Sequence, residues 1–271
     1  MTTNPKEKYP DWFVLSLAKG LRVIRAFSRE SPAMKASEVA RKAGMTRAAA
    51  RRFLLTLVDQ GYAGSDGDRF YLRAPLLDIG FAYLSSMSFG NLSQPVLSDL
   101  AEKHGETSSI AVLDDIQTLY VARVPERRPL GIGYTVVVGA RLPASATTLG
   151  RVLLAALPED ELARRLARVS LDPLTPYSIT DLKALEEELS RIKAQGYATS
   201  ANQIIMGLGA IAVPIVNSRG ETRAGLNMLL RAPEGVTDID PTPYLDDMRK
   251  GAQQIAAVVE VTNPVAFANS W

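Results

Sequence analysis

The residues best suited to chemistry in this sequence are three arginines, Arg47, Arg51 and Arg52, joined further along by Arg69. At that spacing the first three share one side of a helix, and no acidic residue between Glu38 and Asp59 neutralises them. A guanidinium is a planar fork of donors that fits a phosphate or the O6/N7 edge of guanine, so such a row suits the major groove of DNA. Ala48, within the row, permits close approach to base edges, and Thr46 just ahead is a natural N-cap. Thr46, Arg47, Ala48, Arg51, Arg52 and Arg69 are therefore the candidate DNA contacts.

Basic residues on a helix are usually just a solvated face, and the nucleic-acid reading depends on the elements that position them. Residues 36–43 have the spacing of a short helix with Val39, Ala40 and Ala43 inward, and Gly44 supplies the left-handed residue that ends it. Met45 pins the turn, and Ala50, Phe53, Leu54 and Leu57 form the inward side of the next helix. Over 62–72 two short strands flank an Asp66-Gly67 turn, which puts Arg69 on a wing. Helix, turn, helix and hairpin in that order predict a winged helix-turn-helix. Ser16 is expected to cap a further helix with Leu17, Leu21, Ile24 and Phe27 inward, completing a domain over 13–73. Polar residues 1–12, with Pro5 and Pro10, read as a mobile arm.

Charge is distributed accordingly. Residues 1–75 carry 14 Lys+Arg against 7 Asp+Glu, a net of +7; the remainder carries 17 against 22, a net of −5. The overall +2 thus hides a basic head on an acidic body, as when one domain meets a polyanion. With 46% hydrophobic and 22% charged residues in 271, the composition is that of a soluble globular protein of one or two domains. No apolar run approaches a membrane span and the N-terminus lacks a signal peptide's apolar core, so a cytoplasmic protein without membrane contact is expected. The absence of cysteine excludes disulfides, thiolate metal sites and a cysteine nucleophile.

Pro75 opens a helix over 74–90 whose Leu76, Leu77, Ile79, Phe81, Tyr83 and Leu84 are too apolar to stand alone in water, so a linker that pairs with a second chain is expected. Beyond it, helical spacing at 91–104 gives way to strand-like runs at 108–113, 118–124 and 130–138. Helices follow at 146–157, 159–169 and 181–195, then strands at 197–200, 210–216 and 222–230 and a closing helix at 243–261. That order predicts an α+β body over 91–265 around a mixed or antiparallel sheet.

Catalytic signals are sparse there. The single histidine, His104, precedes Gly105 at a predicted helix end, where it favourably meets terminal carbonyls, so no histidine-based triad is expected. Glu186, Glu187 and Glu188 precede Arg191 and Lys193 on a helix, the pattern of a salt-bridged face. Gly207, Gly209 and Ala212 fit the permissive dinucleotide fingerprint, but that string must open a helix, and Val213, Pro214, Ile215 and Val216 read as a strand. No metal, cofactor or catalytic residue is predicted. The loop over 139–148 leads into a helix start rich in hydroxyls, which either caps that helix or receives an anion.

Segments 16–27 (SLAKGLRVIRAF), 37–57 (SEVARKAGMTRAAARRFLLTL), 120–125 (YVARVP), 139–154 (GARLPASATTLGRVLL) and 174–180 (LTPYSIT) together resemble, in order, those of the IclR-type bacterial transcriptional regulators, over nearly the whole chain. The resemblance implies an N-terminal winged helix-turn-helix, a dimerising linker helix and a C-terminal α/β effector-binding domain, assembled as homodimers or homotetramers on double-stranded operator DNA. The segments look closest to regulators of aromatic-acid catabolism that answer to p-hydroxybenzoate, protocatechuate or β-ketoadipate. Carried across by motif, the effector pocket comprises Leu142, Thr148, Leu149, Ser200, Leu208, Ala210, Asn227 and Leu229. Many relatives have acidic residues where this chain has Ser200, Ala201, Asn202 and Gln203, and small hydroxyls where it has Leu229, which implies a less acidic, more apolar pocket suited to a ring-bearing anion. The function implied is a ligand-responsive regulator of aromatic-acid catabolism that senses a small organic acid, aromatic or dicarboxylic. Two alternatives stay open: an enzyme with an appended DNA-binding head, and an architectural DNA binder without effector.

Overall fold

The computed structural model describes residues 9–28, 30–80, 89–125 and 136–262, and the chain divides into two units, Met1–Ala82 and Tyr83–Trp271. The first contains α1 (Leu15–Arg25), β1 (Ala33–Lys35), α2 (Ala36–Ala43), α3 (Arg47–Asp59), β2 (Ala63–Ser65) and β3 (Arg69–Leu72). Val23, Val39, Ala50 and Leu54 are fully buried at its centre, with Met34 and Phe70 closing the core from the strands. Gly44 ends α2 at φ 63°, ψ 47°, a conformation without steric cost only for glycine. The Thr46 hydroxyl then accepts the Ala49 N–H at 3.3 Å and starts α3. The wing is a three-stranded antiparallel sheet, order β1-β3-β2, because residues 33–35 add a strand the hairpin pattern did not disclose. Its turn is tied by Asp66, whose carboxylate accepts the Arg69 and Asp68 N–H groups, and these bonds hold its pKa below the usual range.

Two expectations for α1 need correction. Val14 precedes the helix and offers no side-chain cap, so Ser16 lies inside the first turn and does not cap it. Leu17 and Leu21 are exposed, at 63% and 47%, because the helix turns its Val23 and Ala26 side toward the unit's core. Residues 1–8 of the expected arm lie outside the described residues. Residues 76–80 of the expected linker are helical, with Leu77 and Ile79 exposed, while 81–88, including Phe81, Tyr83 and Leu84, lie outside the described residues.

The second unit runs α4 (Phe89–His104), β4 (Thr107–Asp114), β5 (Gln117–Val124), β6 (Arg141–Pro143), α5 (Thr148–Ala155), α6 (Glu159–Leu166), α7 (Leu182–Gln195), β7 (Ala198–Ala201), β8 (Leu208–Val216), β9 (Thr222–Arg231) and α8 (Leu245–Thr262). Its six strands pair antiparallel in the order β6-β5-β4-β9-β8-β7, which resolves the mixed-or-antiparallel alternative. One sheet face carries α4 and α8, packed through Leu97, Leu100, Met248, Ile255 and Val259 on Ile110, Leu226 and Met228. The other carries α5 and α7, packed through Leu149, Leu154, Leu185 and Ile192 on Ala111, Tyr120 and Ala212. With both faces covered, β4, β8 and β9 are buried almost throughout and read as apolar runs, without polar-apolar alternation. Pro214 is accommodated because β7 pairs only with residues 209–212, leaving an open edge of β8 beyond them. At the end of α4, His104 Nε2 stands 2.9 Å from Asp247 Oδ2 and its ring tilts against Tyr244, tying α4 to α8.

The expected strand at 130–138 is not found as such: residues 126–135 lie outside the described residues, and 136–138 are not in a strand. The edge strand is β6 instead, within the segment read as a loop. From β6 the chain folds over the start of α5 so closely that a Cβ on Gly150 would lie 2.2 Å from the Ala144 carbonyl oxygen and 2.3 Å from its Cα. Both neighbours are backbone and cannot swing aside. Gly150→Ala is therefore expected to destabilise the protein by about 1–3 kcal/mol, read as a lower urea midpoint at constant m-value; an unchanged midpoint would show that the turn yields.

Candidate functional site

In the first unit, α3 buries Ala50 and Leu54 and leaves Arg47, Ala48, Arg51 and Arg52 exposed, with Thr46 exposed at its start. Arg69 is exposed at the beginning of β3. None of these four arginines forms an ion pair among the described residues. The nearby wing carboxylate Asp68 is instead engaged by Lys35 at 2.6 Å. Like charges at i and i+4 weaken a helix, so the Arg47–Arg51 spacing works against α3's own stability and suits a polyanionic partner.

In the second unit, register assembles a cleft on the α5 side of the sheet. Ser200 pairs with Ala210 and Ala210 with Leu229, giving one row across β7, β8 and β9; Asn227 stands two residues along, opposite Ser109 of β4. Six of the eight pocket residues expected from sequence, Thr148, Ser200, Leu208, Ala210, Asn227 and Leu229, line this cleft together with Tyr120, Thr147, Ile204 and Gly209. The other two do not reach it. Leu149 is one residue round α5 and points into the helix-sheet core, and Leu142 on β6 packs against that same core.

The cleft is closed. Leu208, Ala210, Leu229 and Ile205 pack on one another, and the remaining open volume is about 10 Å³, roughly one water. Asn227 Oδ1 of the cleft is nevertheless buried with no hydrogen-bond partner among the described residues, as is Ser109 Oγ on the strand position paired with it. An unsatisfied acceptor in an apolar setting is costly and marks a place where a ligand donor would be welcome. Thr147 is already committed, since its hydroxyl accepts the Gly150 N–H at 2.9 Å and caps α5. The hydroxyl-rich helix start is thus capped from within, the plainer of its two readings.

The loop over 202–207 closes the cleft, and its geometry explains the Gly207-containing string. Asn202, at φ 60°, donates from Nδ2 to the Pro233 and Val236 carbonyls and accepts the Gly207 N–H at 2.7 Å. Gly207, at φ 87°, then feeds strand β8 and not a helix, as the strand-like residues beyond it required. The segment over 174–178 braces the loop from outside, Thr175 donating to the Asn202 carbonyl at 2.6 Å and Ser178 to that of Gln203 at 2.7 Å. Sequence reasoning missed Tyr120, Ile204 and Gly209 as lining residues, while Thr147 fell within the hydroxyl-rich helix start already singled out; for Ser109, opposite Asn227, the trace was the polar run Thr107-Ser108-Ser109 opening an otherwise apolar strand.

A winged helix-turn-helix with unpaired arginines, in one chain with an antiparallel sheet that builds a closed cleft, defines a DNA-binding transcriptional regulator with a sensing domain. The chain belongs to the IclR family: residues 16–67 match the IclR helix-turn-helix domain and residues 81–257 the bacterial transcriptional regulator IclR C-terminal domain. It is 36% identical to the Pca regulon regulatory protein of Pseudomonas putida over 219 residues, 81% of this chain and 75% of that protein. It is also 36% identical to the p-hydroxybenzoate hydroxylase transcriptional activator of Acinetobacter baylyi over 220 residues, 80% and 81% of the two chains. Its fold matches the crystal structure of an IclR homologue from Microbacterium hydrocarbonoxydans complexed with 4-hydroxybenzoate, with TM-score 0.78, 23% identity, and coverage of 91% of this chain and 99% of that one.

The two threonine caps differ in surroundings. Thr46→Ala frees an N–H that water can reach and should cost about 1 kcal/mol. Thr147→Ala leaves the Gly150 N–H buried without a partner and should cost more, about 1–3 kcal/mol. Urea denaturation of both variants checks the order, and equal losses would contradict the burial argument.

Proposed function

We propose that this protein regulates aromatic-acid catabolism by sensing an aromatic monocarboxylate in the cleft of its second unit and binding operator DNA through α3 and the wing. The observation that carries the reading is Asn227 Oδ1, a buried acceptor without a partner among the described residues in a cleft lined by both apolar and hydroxyl side chains, joined to the likeness to regulators named for p-hydroxybenzoate and the Pca genes. In an opened cleft a ring lies between Leu208, Ala210 and Leu229, while a phenolic hydroxyl donates to Asn227 and a carboxylate accepts from Ser200 or Thr148. No acidic side chain lines the cleft among the described residues, which favours an anion. Because the closed cleft admits about one water, the effector selects an open state and shifts the balance between two arrangements.

On DNA, Arg47, Arg51 and Arg52 meet bases and phosphates, Ala48 lies at the base edges, Thr46 supports the helix start and Arg69 touches the backbone from the wing. The regulator acts as a homodimer or homotetramer in the cytoplasm, where its operators are. No helix among the described residues is long and apolar enough to cross a membrane.

Titration calorimetry with p-hydroxybenzoate, protocatechuate and pyruvate tests the sensing role; the ring acids should bind most tightly, and tightest binding of pyruvate would overturn it. Asn227→Leu removes a buried unsatisfied acceptor, so it should leave the melting temperature equal or higher while weakening the ring acid at least tenfold. For DNA, Arg51→Ala should weaken operator binding by about 1–3 kcal/mol if it reads a guanine, or lower the salt slope by about one if it meets only phosphate. Unchanged affinity and slope in gel-shift titrations would remove Arg51 from the interface.

A further inference from the structure

A second cavity, of about 250 Å³, lies outside the cleft, bounded by the β6–α5 turn, the segment over 169–179 and the loop residue Gln203. Gln203 is the neighbour of Ile204, which lines the cleft, so one loop separates the two spaces. The cavity's walls are mostly apolar, among them Ile116, Val169, Leu171 and Ile179, yet Arg151 of α5 lines it from below at 1% exposure. Its Nε donates to the Ser145 carbonyl at 2.7 Å, and Nη1 has no partner among the described residues. Burial pushes the Arg151 pKa down to about 10, still far above neutrality, so the group remains a cation. The carboxylate nearest in effect, Glu188, is already held by Arg191 through two bonds of 2.8 Å. Gln203 Oε1 is likewise buried with no partner.

A buried cation with an unbonded Nη1 and an orphaned acceptor, on two residues that line one cavity, are costly as structure alone, because each leaves a buried polar group unsatisfied. We propose that this cavity is a second ligand site, which takes a small hydroxy-monocarboxylate: the carboxylate sits on the Arg151 guanidinium and the hydroxyl donates to Gln203 Oε1. Among the described residues that line it the one carboxylate is Asp172, which is exposed and accepts the Ser170 hydroxyl at 2.5 Å. It disfavours a second negative charge, which favours a monocarboxylate over a dicarboxylate. The assignment does not depend on what the cleft binds.

The test is calorimetric titration of the full chain with 4-hydroxybenzoate and with 3-hydroxybutyrate, beside the neutral 4-hydroxybenzyl alcohol. Three variants accompany it: Arg151→Leu removes the cation, Leu171→Trp fills the cavity without touching it, and Ala210→Phe fills the cleft. At least one acid should show a site that Arg151→Leu and Leu171→Trp each weaken tenfold or more, that Ala210→Phe spares, and that the alcohol does not occupy. Should Arg151→Leu fail to fold, Leu171→Trp alone decides. The proposal is overturned if neither acid has a site sensitive to Leu171→Trp, or if the alcohol binds there as tightly as the acid. Failure of the cleft reading looks different: Ala210→Phe then changes nothing while the Arg151 site persists.

Discussion

The sensing unit depends on one tight contact, the fold of the chain after β6 over the first turn of α5. Gly150 lets the Ala144 backbone come within a distance no side chain would allow, and the Thr147 hydroxyl closes the same turn by capping the helix. From that contact α5 is set against the sheet, with Leu149 in the core, Thr148 at the cleft and Arg151 beneath the outer cavity. Three consecutive directions of one short helix thus serve three purposes, and a small rotation of α5 would misplace all of them.

The DNA-binding unit is organised differently, by contacts between near neighbours in the chain. Gly44 ends α2, Thr46 begins α3 three residues before the N–H it caps, and Asp66 ties the wing turn to residues two and three ahead. What remains on the outer side of α3 is cationic and unpaired, an arrangement that weakens the isolated helix and is relieved by a polyanion. The unit therefore has a rigid inner side and an electrostatically unsatisfied outer one.

The cleft and the outer cavity beside it share a physical theme. Asn227 Oδ1 and Ser109 Oγ beside the cleft, and Arg151 Nη1 and Gln203 Oε1 on residues lining the outer cavity, are polar atoms kept from water without partners among the described residues. Such groups lower the stability of the closed form, so a ligand that satisfies them gains more than its own contacts and has the differential affinity needed to shift a conformational balance. The loop over 202–207 separates the two spaces and is held by Asn202 at its base and by Thr175 and Ser178 from outside.

By itself the sequence determined whatever rests on residues three or four apart: the α2-turn-α3 succession, the Thr46 cap, the arginine row and the hairpin around Asp66-Gly67. It also made the α+β character of the second unit legible, and the family motifs pointed to most of the cleft residues. Only the tertiary structure decided which rows meet across strands. Ser200, Ala210 and Leu229 are brought together by register between segments far apart in the chain, and the same pairing sets Asn227 against Ser109. It also decided that Leu149 turns to the core and that Leu17 and Leu21 stay exposed, since helical spacing shows that a helix has an apolar side but not how far it is rolled. The burial of Arg151 was invisible for the same reason: one charge in an apolar helix reads as a solvent-facing residue until the turn over Gly150 covers it.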